Sequence, residues 1–254
     1  MISRVGITDF QWRVAMGLVP GLASVSKFGR NGDIDSAAAE DIWDAGGDWV
    51  APTTARTHQI ASSSASDATA GVGARTIRIF GLTGWTTAEV SEDVTLNGTT
   101  DVQLASSYVI IHRMQVLTKG ATNVNVGAIT ATADTDSTVT AQIAVGIGQT
   151  QMAIYGVPSI QDAYMTAYYA TIVKAAAAGA ADMSLLVNPE PEAELLNFVT
   201  KHTNGMQTDG STHLHHAFHP PNKISGPAII KLRSSVTANN SDISAGFDLI
   251  LADK

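Results

Sequence analysis

The chain contains no cysteine, which excludes disulfide staples, thiolate metal sites and a cysteine nucleophile. Charge is also scarce: 15% of the 254 residues are charged, where a freely soluble domain usually carries about a quarter. A chain packed against neighbours manages with less, because less of its surface must stay solvated. Basic residues are fewer than acidic ones, 15 against 23, giving a net charge of −8, so no direct nucleic-acid partner is expected. No run of about 18 apolar residues occurs, so no membrane-spanning helix is expected. Residues 1–20 interrupt their apolar positions with Arg4, Asp9, Gln11 and Arg13, unlike a secretory signal.

What is present is apolar material. Hydrophobic residues make up 44%, enough for the core of one large β-sandwich or two small domains. Over residues 1–72 the pattern is irregular, with one short helix expected at 36–43. Asp35 or Ser36 would cap that helix and Gly46-Gly47 would stop it. The run Ser62-Ser63-Ser64-Ala65-Ser66 with Gly71 and Gly73 reads as linker. Trp12, Trp43 and Trp49 lie in this region and need a surface to bury against, on the same chain or on a partner.

From residue 73 onward period-two patterning dominates. Val139, Ala141, Ile143 and Val145 alternate with Thr138, Thr140, Gln142 and Ala144. Tyr108, Ile110, His112, Met114 and Val116 share one face of a long predicted strand. Such alternation buries one sheet face and favours antiparallel pairing. Asn97-Gly98 marks a tight hairpin, and Pro158-Ser159, Asn204-Gly205, Asp209-Gly210 and Asn239-Asn240 mark turns. Strands at roughly ten-residue spacing indicate a sandwich or jelly roll rather than a βαβ fold. The expected architecture is all-β: an antiparallel β-sandwich or jelly-roll-like body over 73–254, preceded by an extended, partly helical N-terminal arm over 1–72. A sub-domain split is expected near the Ala/Gly tract at 174–182.

Candidate chemistry is sparse. His213-Leu214-His215-His216-Ala217-Phe218-His219 places His213 and His215 on one side of a strand, as a cupin-like metal site would. No carboxylate follows as third ligand, and Pro220-Pro221 is expected to end the strand, so the expectation is no metal and no cofactor. Asp33 and Asp35 lack the spacing of a calcium loop. Glu190, Glu192 and Glu194 read as a solvated bend, and the two Gly-x-Gly pairs at 71–73 and 146–148 as turns rather than phosphate loops. No nucleophile elbow or zinc-protease motif occurs, and no catalytic residue is assigned.

Four stretches carry a resemblance. They are Lys27-Phe28-Gly29-Arg30-Asn31-Gly32-Asp33-Ile34-Asp35 with Glu40-Asp41-Ile42-Trp43-Asp44-Ala45-Gly46-Gly47-Asp48; Ser91-Glu92-Asp93-Val94-Thr95-Leu96-Asn97-Gly98-Thr99; Gln149-Thr150-Gln151-Met152-Ala153-Ile154-Tyr155-Gly156-Val157-Pro158; and Ile230-Lys231-Leu232-Arg233. Together they resemble motifs of tailed-bacteriophage virion structural proteins. The resemblance implies a non-enzymatic place in the particle, assembled in the host bacterial cytoplasm, with a capsid decoration (cement) role foremost. Its partners would be the major capsid protein, other virion proteins or further copies of this chain. Trp12, Phe28, Trp43 and Trp49 would then be the interface anchors of the arm, since aromatics dominate interface energies. Two alternatives remain: a collar, tail or fibre attachment protein, and a jelly-roll module binding metal or carbohydrate through His213 and His215.

Overall fold

A computed structural model of the chain describes residues 9–50, 52, 54–134, 136–173, 179–193, 197–208 and 212–254. These residues are nearly all antiparallel β. A short helix α1 (Phe10–Ala15) is capped by Asp9, whose Oδ1 accepts from the Trp12 N–H. Then come β1 (Leu22–Ile34), β2 (Glu40–Asp41), β3 (Arg56–Ser62), β4 (Ala74–Leu82), β5 (Val90–Thr95), β6 (Val102–Tyr108), β7 (Ile110–Lys119), β8 (Ile129–Ala133) and β9 (Val139–Ile143). The chain finishes with β10 (Ile154–Val157), β11 (Gln161–Val173), β12 (Ala180–Asn188), β13 (Val199–Gln207), β14 (His213–Ser225), β15 (Ala228–Val236) and β16 (Ser241–Asp253).

Two hydrophobic cores divide this set. The first lies between a sheet of order β1-β16-β11-β14 and a sheet of order β10-β15-β12-β13, with β2 beside β15. Phe247, Leu249 and Tyr168 from one sheet meet Met183, Leu185 and Leu232 from the other. A register shift between Met165 and Ala167 flips the parity of β11, so Ala163 and Met165 point inward before it and Tyr168, Ala170 and Ile172 after it. The second core lies between the β6-β3-β8-β9 and β5-β4-β7 sheets and takes in Ile60, Ile77, Ile79, Ile110 and Met114. It also takes in Ile154 and Ile229, so the second sandwich rests on the outer face of β10 and β15.

The second sandwich is therefore an insertion within the first. The chain leaves after β2 and returns before β10 through one neck, where Trp43 bridges Met152 and the Ala153 N–H donates to the Ile42 carbonyl at 2.9 Å. β1 crosses the neck at Gly29, where a Cβ would come within 2.4 Å of the Ala153 nitrogen and 2.5 Å of the Ile42 oxygen. Glycine alone permits that approach.

Several expectations need correction. Residues 22–34 and 56–62 are sheet strands paired with β16 and with β6 and β8, so much of the region over 1–72 is built into the body, and among the described residues before β1 the helix α1 lies against it through the buried Val14. No helix forms at 36–43: Ile42 and Trp43 are buried in extended chain, the Ile42 N–H bonded to the Leu232 carbonyl. Ser36 instead donates to Asn239, and Asp35 accepts from the Asn240 N–H. The serine-rich stretch is no linker. The buried Asp67 carboxylate gathers the Ser62 hydroxyl (2.6 Å) and the N–H groups of Ala74 (2.7 Å), Val126 (2.9 Å) and Gly127 (2.8 Å).

The long predicted strand breaks at Val109, where the chain switches sheets; Tyr108 ends β6 while Ile110 to Val116 keep their alternation in β7. Asn97-Gly98 joins strands of different sheets rather than a paired hairpin, with Gly98 at φ +62° against Ala65. Asn204-Gly205 lies inside β13, paired with Met183 and Asp182. β14 runs on through Pro220-Pro221, which is possible because it is an edge strand and residues 218–221 face a register shift in β11. Turns at Pro158-Ser159 and Asn239-Asn240 stand where expected. Asp209, Gly210, Glu194 and most of the Ala/Gly tract lie outside the described residues.

Candidate functional site

The residues singled out for anchoring separate into two kinds. Trp43 and Trp49 are buried in the second core, their indole N–H groups donating to the carbonyls of Gly47 (3.2 Å) and Thr140 (2.9 Å). They hold the neck and cannot grip a partner. Trp12 is 64% exposed and Phe28 39%, and Phe10, which opens the same helix as Trp12, is 52% exposed.

The histidine run lies on β14 with alternate residues outward. His213, His215 and His219 face solvent; Leu214, His216 and Phe218 turn toward the first core. The parity predicted for His213 and His215 holds, but the face they share is the outer one. No group of three or more metal-ligating side chains converges among the described residues.

The inward member meets a partner that spacing did not indicate. His216 stacks on His202 of β13 with centroids 4.1 Å apart and planes at 30°, where the edge strands of the two sheets come together. The Tyr168 hydroxyl accepts from Asn204 Nδ2 at 2.7 Å and lies 2.6 Å from His202 Nδ1. Burial holds the Tyr168 hydroxyl up to about 12. Burial also depresses His216, with the nearby charges of His202 and His215 adding to it. A histidine depressed in the fold contributes stability that is present above its ordinary value near 6.5 and lost as pH falls below it. Thermal melts at pH 7.5 and 5.5 should therefore show a larger drop for the wild type than for His216→Phe, which keeps the stack without the titrating nitrogen.

A further ionisable cluster lines a cavity of about 310 Å³ between the two sandwiches. Lys27 enters from β1, Phe80 from β4, His112 and Arg113 from β7, Tyr155 from β10, and Glu89 from the turn before β5. His112 Nε2 meets Glu89 Oε2 at 2.5 Å, and its ring lies 4.6 Å from that of Tyr155. Lys27 Nζ donates to the His112 carbonyl. Burial, then the charge of Arg113, brings the Lys27 ammonium down to about 7, with Glu89 opposing. Burial depresses His112, against the pull of Glu89. Burial alone would raise Glu89, but its bond to His112 and the neighbouring cations bring it below the usual carboxylate value.

Sequence reasoning passed over this cluster because its members are far apart in the chain. A signal was nevertheless present. Lys27 shares strand parity with Val25 and Gly29, and His112 sits between Ile110 and Met114 on the buried face. An ionisable residue at an inward position of a strand marks either a satisfied pair or a site.

No family model and no curated protein matches this chain. Among solved structures, one titled "Structure of infectious bursal disease virus Gx strain" aligns over 91% of this chain and 70% of that chain, at 9% identity and a TM-score of 0.21. A likeness of that size carries no argument about fold or role.

Proposed function

We propose that the protein is a non-enzymatic structural component of a tailed-phage virion, acting as a capsid decoration protein that bridges shell subunits. The observation that carries this reading is strand order. Numbering the eight main strands of the first sandwich in chain order, β1 and then β10 to β16, gives sheets 1-8-3-6 and 2-7-4-5. That order supports a jelly roll, in which two Greek keys wrap one core, an architecture used by viral shell and lectin domains. Three of the four stretches that carry the resemblance lie at the β1 crossing, the neck and β15, and the remaining one, 91–99, lies in β5 and the turn after it. The exposed Trp12, Phe10 and Met16 of α1 and its cap offer an apolar contact to a shell neighbour. Fold alone does not fix function, so the test addresses the particle.

Quantitative mass spectrometry of purified virions should find the protein in hundreds of copies. A dozen or fewer would favour the collar, tail or fibre alternative, and its absence from the particle would sink both. Trp12→Ala should lower particle occupancy about tenfold or more while the melting temperature stays put, because Trp12 touches little of its own fold. Deleting residues 1–16 should do the same. A longer truncation through residue 50 would remove β1 and unfold the first sandwich, so it cannot test the contact.

A further inference from the structure

The fold buries two lysines and treats them differently. Lys231 is met by the Asp41 carboxylate at 2.7 Å and lies 4.3 Å from the Phe198 ring centroid, so its charge is compensated within the chain. Lys27 is buried to a similar degree, but among the described residues no carboxylate lies within ion-pair distance of it, and its ammonium has three donors of which the His112 carbonyl takes one. Glu89, whose charge acts on Lys27, is bonded to His112 instead. The two unspent donors of Lys27 belong to a side chain that lines the cavity between the sandwiches. Arg113 lines the same cavity, its guanidinium 5.3 Å from the Phe80 ring centroid. Its aromatic lining comes from Phe28, Phe80 and Tyr155.

We propose that this cavity is a binding site for a small organic monocarboxylate, its carboxylate on Lys27 and Arg113 and its apolar body against Phe28, Phe80 and Tyr155. The volume stands at the lower end of small-molecule sites, which suits a ligand of benzoate size. A carboxylate there supplies the counter-charge that Asp41 gives Lys231. Because Lys27 belongs to the first sandwich and Phe80, His112 and Arg113 to the second, an occupant also ties the two bodies together. The proposal is independent of the virion reading, since it concerns the isolated chain.

The test uses the full-length protein at pH 6.5 with benzoate, acetate and inorganic phosphate as probes, read by calorimetric titration and by the ¹⁵N shift of the Lys27 Nζ. Benzoate should bind saturably and move the Lys27 titration upward from about 7, and acetate should bind more weakly for want of aromatic contact. Affinity for benzoate should fall as pH rises above 7, when the amine loses its proton. Lys27→Met should weaken benzoate about tenfold to a hundredfold and abolish that pH dependence; Arg113→Gln should weaken it less. If Lys27→Met fails to fold, the Nζ shift in the wild type still decides. Benzoate that leaves the Lys27 resonance unmoved, or phosphate that binds while benzoate does not, overturns the assignment.

Discussion

Asp67→Ala should be among the most damaging single substitutions in this protein, lowering stability by about 4 kcal/mol or more in urea melts. The carboxylate is inaccessible to solvent and accepts four hydrogen bonds, three of them from main-chain N–H groups of Ala74, Val126 and Gly127. Alanine leaves the Ala74 and Gly127 donors buried with no acceptor, at about 1–3 kcal/mol each, and removes the acceptor of the part-buried Val126 N–H as well. Gly73 is part of the same construction, because a Cβ there would lie 2.0 Å from Asp67 Oδ1. Asp67→Asn keeps the shape but turns an amide N–H₂ toward two donors, so it should recover only part of the loss. Hydrogen exchange gives the decisive readout: the amides of residues 74, 126 and 127 should lose protection first. Unchanged protection at those three positions would mean that the carboxylate is not the hub described here.

The second large effect concerns the neck. Asp41 is fully buried and accepts from Lys231 Nζ at 2.7 Å and from the Trp49 N–H at 2.8 Å, with Arg233 Nη1 3.5 Å from its other oxygen. Burial raises the Asp41 carboxyl, and the Lys231 charge only partly opposes it, so the pair adds little net stability. Removing one partner is another matter. Asp41→Ala strands a buried ammonium and should cost about 3–5 kcal/mol. Lys231→Met strands the carboxylate with Arg233 as its remaining cation and should cost somewhat less. The double variant Asp41→Asn with Lys231→Met keeps an acceptor for Trp49 and should recover most of the loss; a double-mutant cycle closed with the single variants Asp41→Asn and Lys231→Met should measure a coupling of about 1–3 kcal/mol. Additive single effects would show that the two side chains are not energetically paired.

The sequence disclosed the parts of this fold in which each strand obeys a single environment. Ile110 to Val116 and Val139 to Ile143 alternate in sequence, and both were readable as strands, although Ile111 and Thr140 are buried at the other parity as well. β1 was not. Its inward positions are Lys27, Gly29 and Asn31, chosen by a cavity, a close backbone crossing and a hydrogen bond to Glu40 rather than by a hydrophobic core. A strand that serves three purposes along thirteen residues loses its apolar rhythm and reads as an irregular segment. β11 was readable in extent but not in register, since its bulge reverses parity midway. The pairing of β1 with β16 joins the two ends of the chain, and no local pattern encodes such a pairing. The same distance hid the candidate site. Its lysine, glutamate, histidine and tyrosine come from four separate segments, and only the topology assembles them.

The neck also sets what the protein tolerates by way of rearrangement. Trp43 and Met152 stand side by side, so the second sandwich is, in topological terms, a very long loop whose ends already touch. The cost of closing a loop grows only with the logarithm of its length. Exchange of everything between those two residues for a different module, or for a short turn, should leave the outer strand order intact, provided the exposed face of Ile154 and Ile229 is recovered. The fold is in this sense a socket, in which one sandwich carries another that is free to diverge.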